Sequence, residues 1–181
     1  MSEIVLLSGS PSEESRSELV LNYLAQLVDQ EGLSTEKISV RNVSPEDLFY
    51  ARYDSEAIEE IATTIQQAKG VIVASPVYKA SYSGILKALI DLLPQDVLKD
   101  TPVFPIMTGG SKSHLLAIEY ALKPLLATLK GQNLKGVYLL DHQIDKSNPV
   151  QPITNEDCDQ RLKKQLVYFL QVIKNQVPIA F

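Results

Sequence analysis

The feature that most constrains this chain is a set of short apolar runs that recur between stretches of helical periodicity. Ile4-Val5-Leu6-Leu7 opens the series within Glu3–Leu7, and Gly70–Ala74 and Gly136–Leu140 repeat it. Lys37–Val40 and Val103–Thr108 complete the strand-like set. A strand with one wet face alternates apolar and polar residues. Runs that are apolar throughout are buried on both faces, as in a parallel sheet covered by helices. The intervening segments have the matching helical pattern. Ser17–Gln30 places Leu19, Val20, Tyr23, Leu24, Leu27 and Val28 on one face, with Gly32 as a stop signal. Ser55–Ala68 groups Ile58, Ile61, Ala62 and Ile65, Ser83–Leu93 ends at Pro94, and His114–Gln132 is a fourth helix. Asn155–Gln176 is the last, capped by Thr154 or Asn155. The alternation predicts an α/β doubly wound sheet of five parallel strands with helices on both faces. Asn42–Asp54 and Asp141–Thr154 are left as long loops.

With 181 residues, 45% of them hydrophobic and 22% charged, the chain is expected to form one domain over residues 1–181 with a substantial core. A net charge of -5 argues against a nucleic-acid partner, which would call for a basic field, but not against a small anion held at a local site. Cys158 is the one cysteine, so no intramolecular disulfide is possible, and its acidic neighbours mark it as inert. His114 and His142 lie far apart and no Cys/His cluster indicates a metal. Glu3 stands where a secretory leader would need positive charge, and no apolar run is long enough to span a bilayer. A cytoplasmic protein with no membrane contact is the expectation.

Three loops carry the chemistry. Ser8-Gly9-Ser10-Pro11, followed by Ser15-Arg16-Ser17, leads from the first strand into the first helix. Free N–H groups and the helix dipole favour an anion there, Ser10, Ser15 and Ser17 add hydroxyls, and Arg16 adds a planar fork for phosphate oxygens. The second loop, Ser75–Gly84, offers Tyr78 and Tyr82 with small residues between them. The third, Thr108-Gly109-Gly110-Ser111-Lys112-Ser113, lets backbone approach a planar ring closely. In a flavodoxin-like sheet of order 2-1-3-4-5 these loops follow strands 1, 3 and 4 and converge at the switch point. Phosphate at one end and a flat heterocycle at the other describe a mononucleotide, and FMN fits. Simpler roles stand beside these: a cap and turn for the serines, a solvated charge for Arg16, Lys79 or Lys112, and ordinary packing for the tyrosines.

The same segments resemble the NAD(P)H-dependent FMN reductase family. Gly9-Ser10-Pro11 with Ser15-Arg16-Ser17, Pro76-Val77-Tyr78-Lys79-Ala80-Ser81-Tyr82-Ser83-Gly84 and Thr108-Gly109-Gly110 carry the likeness. Tyr50-Ala51-Arg52, Leu89–Pro94, His114–Ala117 and Tyr120–Pro124 add to it, in the manner of reductases that serve two-component alkanesulfonate monooxygenases. The likeness is strong from Met1 to Gln132 and fades after Gly136. It implies hydride transfer from NAD(P)H to FMN, with reduced flavin passed to a partner monooxygenase in sulfur metabolism. It assigns Ser10, Ser15 and Ser17 to the phosphate and Pro76, Val77, Tyr78 and Gly84 to the isoalloxazine. Thr108, Gly109 and Gly110 fall near the ring's edge, and Arg16, Lys79, Tyr82 and Ser83 complete the cofactor-binding set. No side chain is expected to act as a nucleophile or metal ligand, because the flavin does the chemistry. The resemblance also implies a homodimer or homotetramer with flavin sites near the subunit interface.

Pro124 interrupts the fourth helix and leaves the carbonyl of Tyr120 without its usual donor, so a kink or a single-turn π-bulge is expected. Leu115, Leu116, Leu122, Leu125 and Leu126 offer more apolar surface than one core face needs. By resemblance, Tyr120 marks a π-helical interface that tunes flavin release; by the simpler account it fills the core. The rival functions are a reductase of quinones, azo dyes or metal ions that keeps its FMN, and a flavodoxin-like electron carrier. A receiver domain is excluded by Ser8 and Ser75 where acidic residues are required, and a low-molecular-weight phosphatase by the lack of a cysteine in the first loop.

Overall fold

The structure is a computed structural model that describes residues 2–175. Its strands are β1 (Ile4–Ser8), β2 (Thr35–Ser39), β3 (Gly70–Pro76), β4 (Pro102–Gly109), β5 (Gln132–Asn133) and β6 (Val137–Leu140). They run parallel in the order β2-β1-β3-β4, with β5 and β6 both on the far edge of β4. Register is continuous through the centre: Ile4 lies opposite Thr35 on one side and Gly70 on the other, and Val71 lies opposite Val103.

Two apolar clusters explain the unbroken hydrophobic runs. Val5 and Leu7 join one face, under α3 (Glu56–Gln67), α4 (Gly84–Leu92) and α5 (Lys123–Thr128). Ile4 and Leu6 join the other, under α1 (Arg16–Gln30) and α6 (Glu156–Lys174). Successive side chains of a strand point to opposite faces, so a sheet covered on both sides needs apolar residues at every position. Phe104 of β4 and Phe169 of α6 are both fully buried, with ring centroids 6.1 Å apart.

The fifth strand position is filled by two pieces rather than one. Val103 accepts a bond from Leu134 N–H (2.9 Å). The next residue of β4 that faces the same edge is Pro105, which has no N–H to offer the ladder. The chain leaves the ladder there, passes Pro105 at Gly136, where a Cβ would lie 2.8 Å from the Pro105 carbonyl, and pairs again from Val137.

Two expected elements differ. The stretch His114–Gln132 is not one helix: Lys112–His114 is a 3-10 turn and α5 ends at Thr128, while Ile118–Leu122 takes the π-helical form expected at Pro124. Lys130 takes a left-handed φ of 65° and ends it. The supposed loop Asn42–Asp54 contains α2 (Pro45–Phe49), with Ser44 as N-cap and Pro45 in the first turn. The predicted last residue of the final helix, Gln176, lies outside the described residues.

Candidate functional site

The carboxyl ends of β1, β3 and β4 bring the three loops together. Gly9 N–H donates to the Ala74 carbonyl (2.8 Å), tying the first loop to β3, and Val77 N–H donates to the Thr108 carbonyl (2.7 Å), tying the second loop to the third. Ser83 caps α4 through Leu86 N–H (3.1 Å), and its hydroxyl donates to the Gly9 carbonyl. Gly9 packs closely on α4: a Cβ there would sit 2.8 Å from Leu86 Cδ2 and 3.0 Å from Leu86 Cβ, so Leu86 would have to shift. A Cβ at Gly109 would meet the Tyr138 hydroxyl at 2.5 Å, and that hydroxyl is already committed to the Ser111 carbonyl (2.7 Å).

Between these loops lies a cleft of about 260 Å³. Ser15 and Arg16 line one end, Pro76, Val77 and Tyr78 one wall, and Thr108, Gly109 and Gly110 the other. Eight of the fourteen residues expected to bind cofactor thus share one space. The other six do not line it. Ser10 is fully buried and shapes the loop, its hydroxyl accepting from Ser12 N–H (3.1 Å). Ser17 is also buried, 3.2 Å from the Ser15 hydroxyl. Lys79 forms the tip of a tight turn with φ of 50°, closed by Tyr78 N–H to the Ser81 carbonyl (2.9 Å). Tyr82 packs against the core, Ser83 serves as the α4 cap, and Gly84 borders a different hollow.

The Ser15 end fits a phosphate. Ser15 is the N-cap of α1 and accepts from Glu18 N–H (3.2 Å). Arg16 Nε is buried and, among the described residues, has no hydrogen-bond partner. A buried donor without an acceptor is costly, and Arg16 lines the cleft, so the residue suits an anionic ligand there. The larger hollow, about 640 Å³ between α2 and α4, is bordered by Leu48, Phe49, Tyr50, Ile85 and Ala88. Its one charged residue is Glu46, so it offers a phosphate no cation.

Behind the first loop sits a cluster that sequence reasoning missed. Glu18 is 1% exposed, accepts from the Ser8 hydroxyl, and pairs with Lys37 (2.7 Å) and Arg41 (3.6 Å). Arg41 also donates to the Ser10 carbonyl (3.1 Å), so this carboxylate anchors the cation that steadies the loop. Burial pushes the Glu18 carboxyl up, but the bonds from Lys37 and Ser8 and the nearby positive charges outweigh it and leave the pKa lowered. The unfolded chain therefore binds the proton more readily, and this contribution to stability disappears as pH falls from about 4.3 through the lower folded-state value. Glu18→Gln is expected to cost about 1–2 kcal/mol at pH 7, at the modest end because Lys37 and Arg41 can rehydrate, and to flatten the acid limb. Urea denaturation between pH 3 and 7 measures both; an unchanged acid limb would contradict the assignment.

Ser12, Glu14, Asp141 and Lys146 also line the cleft. Asp141 directly follows β6, at a strand's carboxyl end where ligand residues concentrate, and that position was the available signal. It lies beside Gly110, whose Cβ would stand 3.6 Å from its carboxylate, and together with burial it raises the Tyr138 pKa, burial being the larger cause.

Comparison with known proteins identifies the family and the fold. A family model described as NADPH-dependent FMN reductase matches residues 2–145. "FMN reductase (NADPH)" of Escherichia coli strain K12 is 46% identical over 142 residues, 78% of this chain and 74% of that protein. "NADH-dependent FMN reductase SfnE" of Pseudomonas putida is 35% identical over 140 residues, 75% of each. The structure of an apo NADH:FMN oxidoreductase, EmoB, superposes with a TM-score of 0.83 at 29% identity, covering 98% of this chain and 92% of that one.

Proposed function

The chain belongs to the NADPH-dependent FMN reductase family, and from that premise we propose that it binds FMN across the cleft, phosphate at Ser15 and Arg16 and ring between the second and third loops. The observation that carries this is that Arg16, whose buried Nε has no partner among the described residues, lines the same space as the two loop walls. Bound FMN supplies the acceptor for a two-electron hydride from a reduced nicotinamide. The chain's own part is to bind and orient. Arg16 and the α1 N-terminus hold the anionic end, Pro76 and Val77 form one wall, and Gly109 and Gly110 permit close approach on the other. The N–H groups of Val77 and Tyr78 are already used by Thr108 and Ser81, so the ring is held there by packing rather than by those donors.

The cleft is small and open, with Tyr78 about half exposed at 48%. This favours flavin that enters and leaves over flavin that is retained, and with it a role in supplying reduced flavin to a partner monooxygenase. Steady-state NADPH and NADH oxidation tests it: turnover should require added FMN and saturate with it. Turnover of a quinone or azo dye without added FMN would instead favour the retained-flavin reductase.

The π-helical turn bears on assembly. Leu122 and Leu126 turn into the core, whereas Leu115, Leu116 and Tyr120 stay exposed, Tyr120 at 79%. We assign this apolar patch to contact with a second copy in a homo-oligomer. Tyr120→Ala should lower the mass seen by light scattering and change flavin retention; an unchanged mass with unchanged FMN turnover would refute the assignment.

A further inference from the structure

We propose that Lys146 is a second cationic ligand of the flavin phosphate, delivered by the segment between β6 and α6. The proposal rests on the placement of FMN in the cleft and extends it to a residue just beyond the stretch, 2–145, that the family model matches.

The segment is held as a hairpin. Ile144 and Ile153 form an antiparallel bridge and both are buried. Asp145 N–H donates to the Pro152 carbonyl (2.7 Å) and Thr154 N–H to the Gln143 carbonyl (2.9 Å). Asp145 also accepts from the hydroxyl (2.7 Å) and the N–H (2.9 Å) of Ser147, which fixes the turn around Lys146. Lys146 itself is exposed at the tip.

That tip borders two adjoining spaces: the flavin cleft, where Ser15 and Arg16 stand, and a hollow of about 380 Å³ on the other side of Ser15. Among the described residues, the cations lining the cleft are Arg16 and Lys146, and Lys146 has no carboxylate within ion-pair distance. Charge explains why a second cation is needed. A phosphomonoester carries about -1.5 to -2 at neutral pH. Glu14 and Asp141 line the same cleft and repel it, so Arg16 alone leaves the local balance negative. A mobile ammonium on a fixed hairpin supplies the missing charge without the strict geometry that a guanidinium demands.

Fluorescence titration of FMN and riboflavin, which differ by the phosphate alone, tests the proposal on the full chain. Lys146→Gln should weaken FMN about five- to twentyfold, leave riboflavin unchanged, and reduce the salt dependence of FMN binding, while Lys146→Arg restores most of the loss. Equal FMN affinity in Lys146→Gln and the parent would overturn it. So would parallel weakening of both ligands, which would mean a disturbed hairpin. A rise in KM for NADPH or NADH with unchanged FMN affinity would give the lysine to a phosphate of the dinucleotide and also overturn it. A parent protein that binds riboflavin as tightly as FMN would instead sink the phosphate site as a whole, with no variant needed.

Discussion

Replacing Phe104 with alanine should destabilise the fold by about 3–5 kcal/mol, the range for removing a fully buried aromatic ring from a packed core. Phe104 is the third residue of β4, is 0% exposed, and packs against Phe169 of α6. No side chain nearby can fill the gap without leaving its own packing, because the α1–α6 cluster is closed around both rings. The effect should appear as a lower urea midpoint with an unchanged slope. The residue belongs to the α1–α6 cluster and does not line the cleft, so the surviving folded fraction should bind FMN with its original affinity. A loss under about 1 kcal/mol would mean that the two helices do not close this face of the sheet.

Arg16→Ala should weaken FMN binding about 10- to 100-fold and leave riboflavin binding where it was. A charge-assisted hydrogen bond is worth about 1.5–3 kcal/mol, and this arginine carries a buried Nε that nothing else in the described structure satisfies. Alanine is a strong helix former, so α1 should survive the change and the loss can be read as a ligand effect. Arg16→Lys should recover only part of the affinity, since an ammonium keeps the charge but not the planar fork. Equal losses for FMN and riboflavin would place the guanidinium against the ring or the loop rather than the phosphate.

Much of the architecture could be read from the chain because burial on both faces of a sheet leaves a direct imprint: Ile4 to Leu7 must all be apolar when alternate residues feed opposite clusters. Pro124 was equally legible, since a missing N–H inside a helix forces a local answer, here the π turn Ile118–Leu122. Three loops at strand ends were enough to find the cleft. What stayed hidden depends on register and tertiary contact. Lys37 and Arg41 lie 19 and 23 residues beyond Glu18 and meet its carboxylate only because β2 pairs beside β1. Lys146 reaches the cleft only because Ile144 and Ile153 close a hairpin; Asn148-Pro149 marks a turn there but not which residues pair across it. The α2 helix was the readable miss: Ser44 followed by Pro45 is a standard helix opening, set in a stretch taken for loop. Ser10 and Ser17 show how local bonding is hidden in sequence. Their hydroxyls look like phosphate donors in sequence, but here they face neighbouring groups of their own loop and helix.

A crystal structure of the protein soaked with FMN tests the central claim most directly. The phosphate should lie within hydrogen-bond distance of Ser15 and Arg16, with the ring between Pro76–Tyr78 and Thr108–Gly110. Flavin density in the apolar hollow between α2 and α4, or a vacant cleft at saturating FMN, would contradict it.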